Sequence, residues 1–415
     1  MKPSLFAAMA IVAVCGTIEV AAASDLALIG CKVYPSPTES AISNATVLVR
    51  GHRIVELGPR GQVRVPEDAE KIECGDGVVT AGFWNSHVHI LTQGLMDAEN
   101  VPAQRITAQL EEMLTRWGFT TVFDVASVLH NTEVIRQRIA RGEVAGPGIL
   151  TVGDPFYPEG GTPVYIRGFI ERNHVPSEEV SDPHQAADRA RRQLRAGADG
   201  VKIFAASFAG GGRIVPMPLE IARAVVAEAH RAGKPAFAHP SNLEGIEVAL
   251  GSGVDVLAHT APLSGPWPAS LIARVKAGHM ALTPTLTLFE VEARKFGELP
   301  DEARQEMEIA LGQLHAYSAA GGEVLFGTDV GYTDHYDTAE EFRLMSRAGL
   351  SFRQILASLT TNPAHRFGDR DGRGRVAVGH EADLVVLAGD PDADVTSFSR
   401  VRCTIRGGNV IYRSH

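Results

Sequence analysis

The segment "TAGFWNSHVHILT" carries two histidines, His87 and His89, two positions apart. In an extended strand alternate residues share a face, so both imidazoles would point to one side, about 7 Å apart along the backbone. Two neutral imidazoles on one side suit a metal ion. Because a single His-x-His pair also arises by chance or on a surface, a metal site requires further ligands elsewhere in the chain.

Further candidates stand at the ends of four other strand-like runs: Lys202 in "DGVKIF", His239 in "AFAHP", His259 in "VLAHT" and Asp329 in "FGTDV". Taken singly, a buried histidine is usually a hydrogen-bonded core residue, and Asp329 could cap a turn. Lys202 is harder to explain in this way, because an unpaired buried ammonium costs several kcal/mol. Together, the polar strand ends predict a metal site.

The elements that would position these residues alternate between strands and helices. Eight strand-like runs are separated by segments with helical apolar spacing that end in glycine, such as "PHQAADRARRQLRAG" and "MPLEIARAVVAEAHRAG". Eight such units predict a (β/α)8 TIM barrel, in which the C-terminal ends of the strands meet at one face. The runs are "VVTAGFWNSHVHI", "FTTVFDVAS", "GILTVGD", "DGVKIFAAS", "KPAFAHP", "DVLAHT", "MALTPTL" and "EVLFGTDV".

Short strand-like runs also fill both ends of the chain. Examples are "LALIGCKVY" and "ATVLVR" near the start, and "ADLVVLAG" and "CTIRGGNVIYR" near the end. We expect these runs to build one small β-sandwich together. The predicted organisation is a signal peptide over residues 1–23, the N-terminal part of the sandwich over 24–80, the metal-dependent barrel over 81–365 and the C-terminal part of the sandwich over 366–415.

Composition and the first residues limit the class of protein. A net charge of -10 argues against nucleic-acid or anionic-membrane partners, because both require basic patches. The start of the chain combines Lys2, a short apolar core and small residues up to Ala23, a pattern typical of a cleaved secretory signal peptide. We therefore expect a periplasmic or secreted protein that begins near Ser24 and is free of the membrane. The sequence allows a homo-oligomer but does not fix the oligomeric state.

Removal of that leader leaves three cysteines, Cys31, Cys74 and Cys403. An odd number in an oxidising compartment allows one disulfide with one buried thiol, or three buried thiols. Since no two cysteines have a CxxC spacing, zinc ligated by cysteine is not predicted.

The HVH motif and the strand-end ligands resemble the amidohydrolase superfamily, in particular its binuclear prolidase-like group and the related imidazolonepropionase group. The tail "LTTNPAHRFGDRDGRGRVAVGHEADLVVLAGDP" is similar to the family's return from the last barrel helix into the β-sandwich. The resemblance covers nearly the whole mature chain. It implies two divalent metal ions, usually zinc, bridged by hydroxide and by a lysine carboxylated on its side-chain nitrogen. It assigns one ion to His87, His89 and Asp329, the other to His239 and His259, and carboxylated Lys202 to both.

The chemistry that the resemblance implies is hydrolysis of a C–N bond by metal-activated hydroxide. Two dications lower the pKa of a bridging water towards about 7. Asp329 would take a proton from the nucleophile and pass it to the departing nitrogen. We expect a small-molecule amide as substrate, such as an N-acyl amino acid or a dipeptide with a bulky apolar part. The alternatives are a mononuclear cyclic-amide hydrolase or deaminase of the imidazolonepropionase type, which does not need Lys202, a lactonase or esterase, and a non-catalytic metal-binding protein.

Four residues are candidates for substrate contacts: Tyr157, Arg213, Ser241 and Tyr332. Tyr157 and Tyr332 follow the third and eighth runs. Arg213 ends the glycine run "FAGGGR", which predicts a mobile loop, and its charge suits a substrate carboxylate. Ser241 stands where prolidase-like relatives have a tyrosine, and their third-strand histidine is missing from "TVGDPFYPEGG". Their dipeptide specificity is therefore not carried over.

Overall fold

A computed structural model describes residues 25–175, 179–297 and 299–414. The predicted signal peptide and its cleavage before Ser24 lie outside the described residues. Within the described ranges, no helix is long and apolar enough to cross a membrane.

The strands are β1 Leu26–Val33, β2 Ile42–Arg50, β3 Arg53–Pro59, β4 Glu70–Glu73, β5 Val78–Ala81, β6 Phe83–Val88, β7 Phe119–Asp124, β8 Gly148–Thr151, β9 Tyr157–Pro158, β10 Glu179–Val180, β11 Val201–Phe204, β12 Ala206–Gly210, β13 Arg213–Pro216, β14 Ala236–His239, β15 Val256–Ala258, β16 Ala281–Thr283, β17 Leu384–Leu387, β18 Val401–Arg406 and β19 Asn409–Arg413. The α-helices are α1 Ala103–Met113, α2 Leu129–Ala140, α3 Arg167–Asn173, α4 Pro183–Arg195, α5 Leu219–Arg231, α6 Leu243–Ser252, α7 Ala269–Ala277, α8 Leu286–Phe296, α9 Pro300–Ala319, α10 Ala339–Arg347, α11 Phe352–Leu359 and α12 Thr361–Arg366.

Seven of the predicted barrel strands form two parallel sheets. One sheet has the order β6-β7-β8 and the other the order β11-β14-β15-β16. A bridge between Phe156 and Ile203 joins the two sheets. Every residue of β6, β7 and β11 is buried, which explains why these strands are continuous apolar runs rather than alternating ones. The arrangement is a TIM-barrel-like α/β fold.

The eighth predicted strand, "EVLFGTDV", is not a regular strand in the structure. It makes single parallel bridges instead, from Val324 to Leu282 of β16 and from Val330 to Val88 of β6. Asp329 has a φ of 58°, in the left-handed region, so the backbone leaves the extended conformation just before Val330. The run nevertheless lies between the last and the first strands of the predicted barrel.

The helices begin and end where local sequence signals place them. In α4, the first residue is Pro183 and the side chain of Asp182 accepts a hydrogen bond from the Gln185 amide, which is a favourable helix start. In α5, Ile221, Val225 and Ala229 are buried at intervals of four, so one face packs on the strands and the other faces water. The predicted helices "PHQAADRARRQLRAG" and "MPLEIARAVVAEAHRAG" are thus confirmed.

Strands from both ends of the described chain form one mixed sheet with the order β19-β18-β17-β5-β1-β2-β3, and β4 pairs with β1. The two ends meet where β5 pairs antiparallel with β17, with Val79 opposite Val386. The sequence predicted a sandwich of two sheets. Within the described residues the hydrogen bonds join these strands into a single sheet, because β1 pairs with β2 on one side and with β4 and β5 on the other.

The sheet also contains the cysteines. Cys31 and Cys74 form a disulfide with Cα atoms 5.0 Å apart, and Cys403 is a buried free thiol. Of the two arrangements that the sequence left open, the structure has one disulfide and one buried thiol.

Candidate metal centre and substrate cavity

Six polar side chains from five strand ends line one cavity of about 240 Å³. His87 lies in β6 and His89 follows it, Lys202 lies in β11, and His239 ends β14. His259 comes directly after β15, and Asp329 belongs to the eighth run. The C-terminal ends of parallel strands meet on one face of such a fold. The structure therefore brings together all six predicted ligands: His87, His89, Lys202, His239, His259 and Asp329.

Distances between these groups suit a shared metal site. Asp329 Oδ1 lies 3.0 Å from His87 Nε2 and 2.7 Å from His89 Nε2. The ligand atoms of His87, His259 and Asp329 all lie within 4.8 Å of one another. The close approach of His87 Nε2 to Asp329 lacks hydrogen-bond geometry, so neither ring nitrogen of this buried side chain has a hydrogen-bond partner among the residues that the structure describes. Because buried polar atoms are nearly always satisfied, the unsatisfied Nε2 beside Asp329 fits a divalent ion held by nitrogen and oxygen donors.

Neighbouring groups orient two of the histidines. His89 Nδ1 is 2.9 Å from the Ala126 carbonyl oxygen, so Nδ1 carries the proton and Nε2 is left as a ligand. His259 Nδ1 lies 2.6 Å from Thr285 Oγ1, and that hydroxyl donates its own hydrogen to the Pro284 carbonyl. His259 Nδ1 is therefore the donor, and its Nε2 is also free. Such outer hydrogen bonds fix the ring orientation of metal-binding histidines.

The backbone at two of the candidate ligands is strained. His259 has a φ of 89° and Asp329 a φ of 58°, a region that costs residues other than glycine about 1–3 kcal/mol. Backbone hydrogen bonds hold both positions, from the His259 amide to the Thr283 carbonyl and from the Asp329 amide to the His87 carbonyl. Both side chains line the cavity, so the strained positions belong to the candidate metal site.

Burial sets the protonation states. It lowers the pKa of His87 and of His239 to about 3, and that of His259 well below its usual value. The rings are therefore neutral, as metal ligation requires. Burial opposes the charge of Asp329, but the adjacent His87 and His89 outweigh it and hold the pKa of Asp329 well below its usual range.

Lys202 is the one cation among these six side chains. It is 1% exposed, and its ammonium has neither a hydrogen-bond nor an ion-pair partner within the described ranges. Burial lowers the pKa of Lys202 to about 7, against the attraction of Asp329. A substantial share of this amine is therefore neutral at neutral pH.

Aromatic and apolar side chains form the remaining wall of the cavity. Several come from the segment that contains α3, and others from α8 and the eighth run. The wall includes Tyr157, Tyr165, Ile166, Phe169, Ile170, Leu288 and Tyr332. The rings of Tyr165 and Tyr332 have centroids 5.0 Å apart. Nothing in the spacing of the α3 residues links this short helix to the strand ends, so their place in the wall could not be predicted from the sequence.

Glu292 of α8 is a second residue that sequence reasoning missed. It lines the same cavity, and Tyr332 Oη donates a hydrogen bond of 3.1 Å to Glu292 Oε1. Burial, reinforced by Asp329, raises the pKa of Glu292 to about 7. Lys295, one helical turn further on, stands over the Tyr332 ring at 4.5 Å. The wall thus combines an apolar surface with a small polar group.

Two of the four predicted substrate residues line this cavity, Tyr157 and Tyr332. The other two have different partners. Ser241 is buried and donates a hydrogen bond of 2.8 Å to the Ala206 carbonyl, so its hydroxyl ties the segment after β14 to the start of β12. Arg213 is exposed and donates to the Gly160 carbonyl. The run "FAGGGR" is the turn of the β12–β13 hairpin rather than an irregular loop, because the two strands pair antiparallel.

The fold and the clustered ligands define a metal-dependent hydrolase, and comparison with known proteins identifies its family. Residues 78–411 match the sequence profile of the Amidohydrolase family. The chain belongs to this family of metal-dependent hydrolases and is a hydrolase that acts on C–N bonds.

Individual relatives are distant. Imidazolonepropionase of Thermoplasma acidophilum is 22% identical over 89% of each sequence. A Xaa-Pro dipeptidase crystallised with methionine in its active site is 22% identical, with a TM-score of 0.80, over 94% of this chain and all of that one. A prolidase in complex with N-methylphosphonate-L-proline is 25% identical, with a TM-score of 0.78 over the same shares.

Proposed function

We propose that this protein is an exported amidohydrolase that cleaves the amide bond of an N-acyl amino acid, or of a dipeptide with a bulky apolar part, at a centre of two divalent metal ions. The observation that carries the proposal is the single cavity in which six metal-ligand side chains face an aromatic and apolar wall. One part of this cavity suits hydrolysis, and the other suits recognition of an apolar substituent.

The proposed assignment of ligands is the one that the family resemblance implies. His87, His89 and Asp329 would hold one ion, His239 and His259 would hold the other, and Lys202, carboxylated on Nζ, would be a ligand shared by the two. Zinc fits the nitrogen and oxygen donor set. Divalent ions, when bound, lower the pKa of water towards about 7 and polarise a carbonyl oxygen. Carboxylation converts the unpartnered Lys202 from a buried cation into an anionic oxygen ligand, which removes the cost of burying that charge.

Asp329 is the proposed proton carrier. Its low pKa keeps the carboxylate ionised, so it can accept a proton from the attacking water. The same group can then donate this proton to the amide nitrogen, which is a poor leaving group unless it is protonated.

The proposed substrate class rests on the cavity wall. Tyr165, Phe169 and Tyr332 offer an aromatic surface to an apolar substituent, and Arg172 and Lys295 on the same wall supply positive charge for a substrate carboxylate. Burial of one apolar side chain of the substrate contributes about 1.5–3 kcal/mol.

A substrate comparison tests this proposal. The zinc-loaded protein should hydrolyse N-acetyl-phenylalanine or a phenylalanine-containing dipeptide with a higher kcat/KM than Gly-Pro. Phe169→Ala should lower kcat/KM for the bulky substrates by about tenfold and leave Gly-Pro little changed. Phe296→Ala is the matched control, because Phe296 is 53% exposed on α8. Equal or better rates on small polar dipeptides, or activity confined to lactones or phosphotriesters, would contradict the proposed substrate class.

A mononuclear cyclic-amide hydrolase is the second candidate, favoured by the similarity to an imidazolonepropionase. Metal analysis separates the two, because about two ions per chain support the binuclear centre. A stoichiometry near one, with an uncarboxylated Lys202, would support the alternative.

Export is proposed from the first 23 residues, and the disulfide of Cys31 and Cys74 supports it, because disulfides persist in oxidising compartments. Intact-mass measurement on protein from the periplasm or the medium should give a chain that begins near Ser24. A mature chain that begins at Met1 would contradict export with cleavage.

A further inference from the structure

A second cavity, of about 260 Å³, lies at the opposite end of the strands from the metal ligands. Its lining includes Trp84, the second residue of β6, and Gly148, the first residue of β8. Helix α2, the segment after α12 and the end of β18 complete it. This cavity shares no lining residue with the substrate cavity.

Three arginines and no acidic residue line this second cavity. Two of the arginines are neutralised by carboxylates just outside it. Arg136 NH1 lies 3.0 Å from Asp199 Oδ2, and Arg373 Nε lies 3.4 Å from Asp383 Oδ2. Neither of these two therefore needs a further anion.

The third arginine, Arg406, is not directly paired in this way, although the charges of Asp383 and Glu381 attract it from a greater distance. It has no ion-pair partner in the part of the chain that the structure describes, and its NH1 donates one long hydrogen bond of 3.4 Å to the Gly146 carbonyl. Burial lowers the pKa of Arg406, but its guanidinium remains charged. Most of its donors have no acceptor among the described residues.

The indole N–H of Trp84 is a second, independent indication that this cavity binds a ligand. The side chain of Trp84 is 3% exposed and lines the cavity, yet Nε1 has no hydrogen-bond partner among the described residues. The indole ring is stacked on Phe367 at 6.1 Å, which fixes its position. Buried donors without an acceptor are rare, so an acceptor from outside the chain would complete this one.

We propose that this cavity binds a small oxyanion, either inorganic phosphate or the carboxylate of a small organic acid, through the guanidinium of Arg406 and the indole N–H of Trp84. A guanidinium offers several donors in a fixed plane that match such oxygens. The site is separate from the catalytic centre, although β6 carries both Trp84 and, at its other end, His87.

Calorimetric titration of the metal-loaded full-length protein tests the proposal. Inorganic phosphate and succinate are titrated separately at constant ionic strength, with sodium chloride as the blank. Arg406→Gln should weaken the binding of the preferred anion by at least about tenfold, the scale of a charge-assisted hydrogen bond. Trp84→Phe, which keeps a ring against Phe367 but removes the N–H, should weaken it by about threefold or more. Arg304→Gln, at an exposed position on α9, should have no effect.

The two anions and a second arginine variant distinguish the outcomes. A stronger response to phosphate or to succinate identifies which oxyanion the site takes. Phosphate bound at the metal centre would bind equally to wild type and to Arg406→Gln, so a loss in that variant assigns binding to this cavity. Arg406→Lys should retain part of the affinity. If both arginine variants misfold, the anion affinity of Trp84→Phe decides the outcome. Identical affinities in wild type and Trp84→Phe, or no saturable binding of either anion below about 10 mM, would overturn the proposal.

Discussion

Replacement of Lys202 by methionine should affect the metal-free and the metal-loaded protein in opposite directions. Burial lowers the pKa of Lys202 from 10.5 to about 7, so between these pH values the unfolded chain binds more protons at this site than the folded protein does. The free energy of unfolding therefore rises with pH across that window, by about 5 kcal/mol in total at about 1.4 kcal/mol per pH unit. The buried amine thus destabilises the folded protein most at low pH, and at pH 7 it still lowers the free energy of unfolding by about 4 kcal/mol.

Methionine has a similar length and carries no charge, so Lys202→Met should remove this destabilisation. In chelator-treated protein the free energy of unfolding at pH 7 should rise by up to about 4 kcal/mol, and the gain should shrink to about half at pH 9. In zinc-loaded protein the same substitution removes the proposed shared ligand, so metal content and activity should fall together.

Urea unfolding of the chelator-treated proteins at pH 7 and pH 9 measures the first effect, and elemental analysis with kinetics measures the second. Lys71→Met is the matched control, because Lys71 is an exposed lysine in β4. A metal-free variant that is less stable than wild type at pH 7 would refute the destabilising role of the buried amine. A difference in the free energy of unfolding that does not change with pH would also refute it. A variant that keeps two ions and full activity would exclude Lys202 as a bridging ligand.

Three further predictions concern other parts of the molecule. Asp329→Asn should fold but lose turnover by about 10² or more in steady-state kinetics, and near-normal turnover would exclude it as the proton carrier. Cys31→Ser opens the disulfide to Cys74, which spans 43 residues, and should lower the free energy of urea unfolding by about 4 kcal/mol; an unchanged value would exclude a stabilising role. Burial opposes ionisation of Asp390, but a hydrogen bond from Lys32 at 2.5 Å holds the pKa of Asp390 below its usual value. Asp390→Asn should therefore lower stability at pH 7 by up to about 1 kcal/mol, with the deficit shrinking as the pH falls below about 4 and lost below the lowered pKa of Asp390, and a deficit that persists in stronger acid would contradict the ion pair.

The six candidate ligands could be predicted from the sequence because each is a polar residue within, or directly after, an apolar strand-like run. A parallel strand in this fold is buried on both faces, so a polar residue such as His239 or Lys202 stands out from its surroundings. Strand order did not have to be known, since all C-terminal ends converge on one face.

The substrate wall could not be predicted in the same way. Helix α3 has no fully buried residue, so Phe169 resembles an ordinary surface residue of a short helix, and Tyr165 lies just before that helix in no regular element. Glu292 lies on an amphipathic helix whose charged positions normally face water. Its contact with Tyr332 depends on how α8 packs against the eighth run, and no local pattern encodes that packing. Arg213 was predicted to contact the substrate because it ends a glycine-rich run, which is typical of a mobile loop. A glycine-rich run also suits a tight hairpin turn, and that is what it forms here.

The pairing of β5 with β17 has a consequence for synthesis. Val79 leaves the ribosome early, but Val386, its partner in the sheet, is made only after the whole catalytic region. Until then the edge of β5 has unpaired amide and carbonyl groups, which is a template for association with other chains. Because domains tend to fold as they emerge, the barrel strands can pair with one another before β17 is available to pair with β5. Fusion or truncation within residues 384–413 should therefore leave an assembled metal site on a protein that is prone to aggregate.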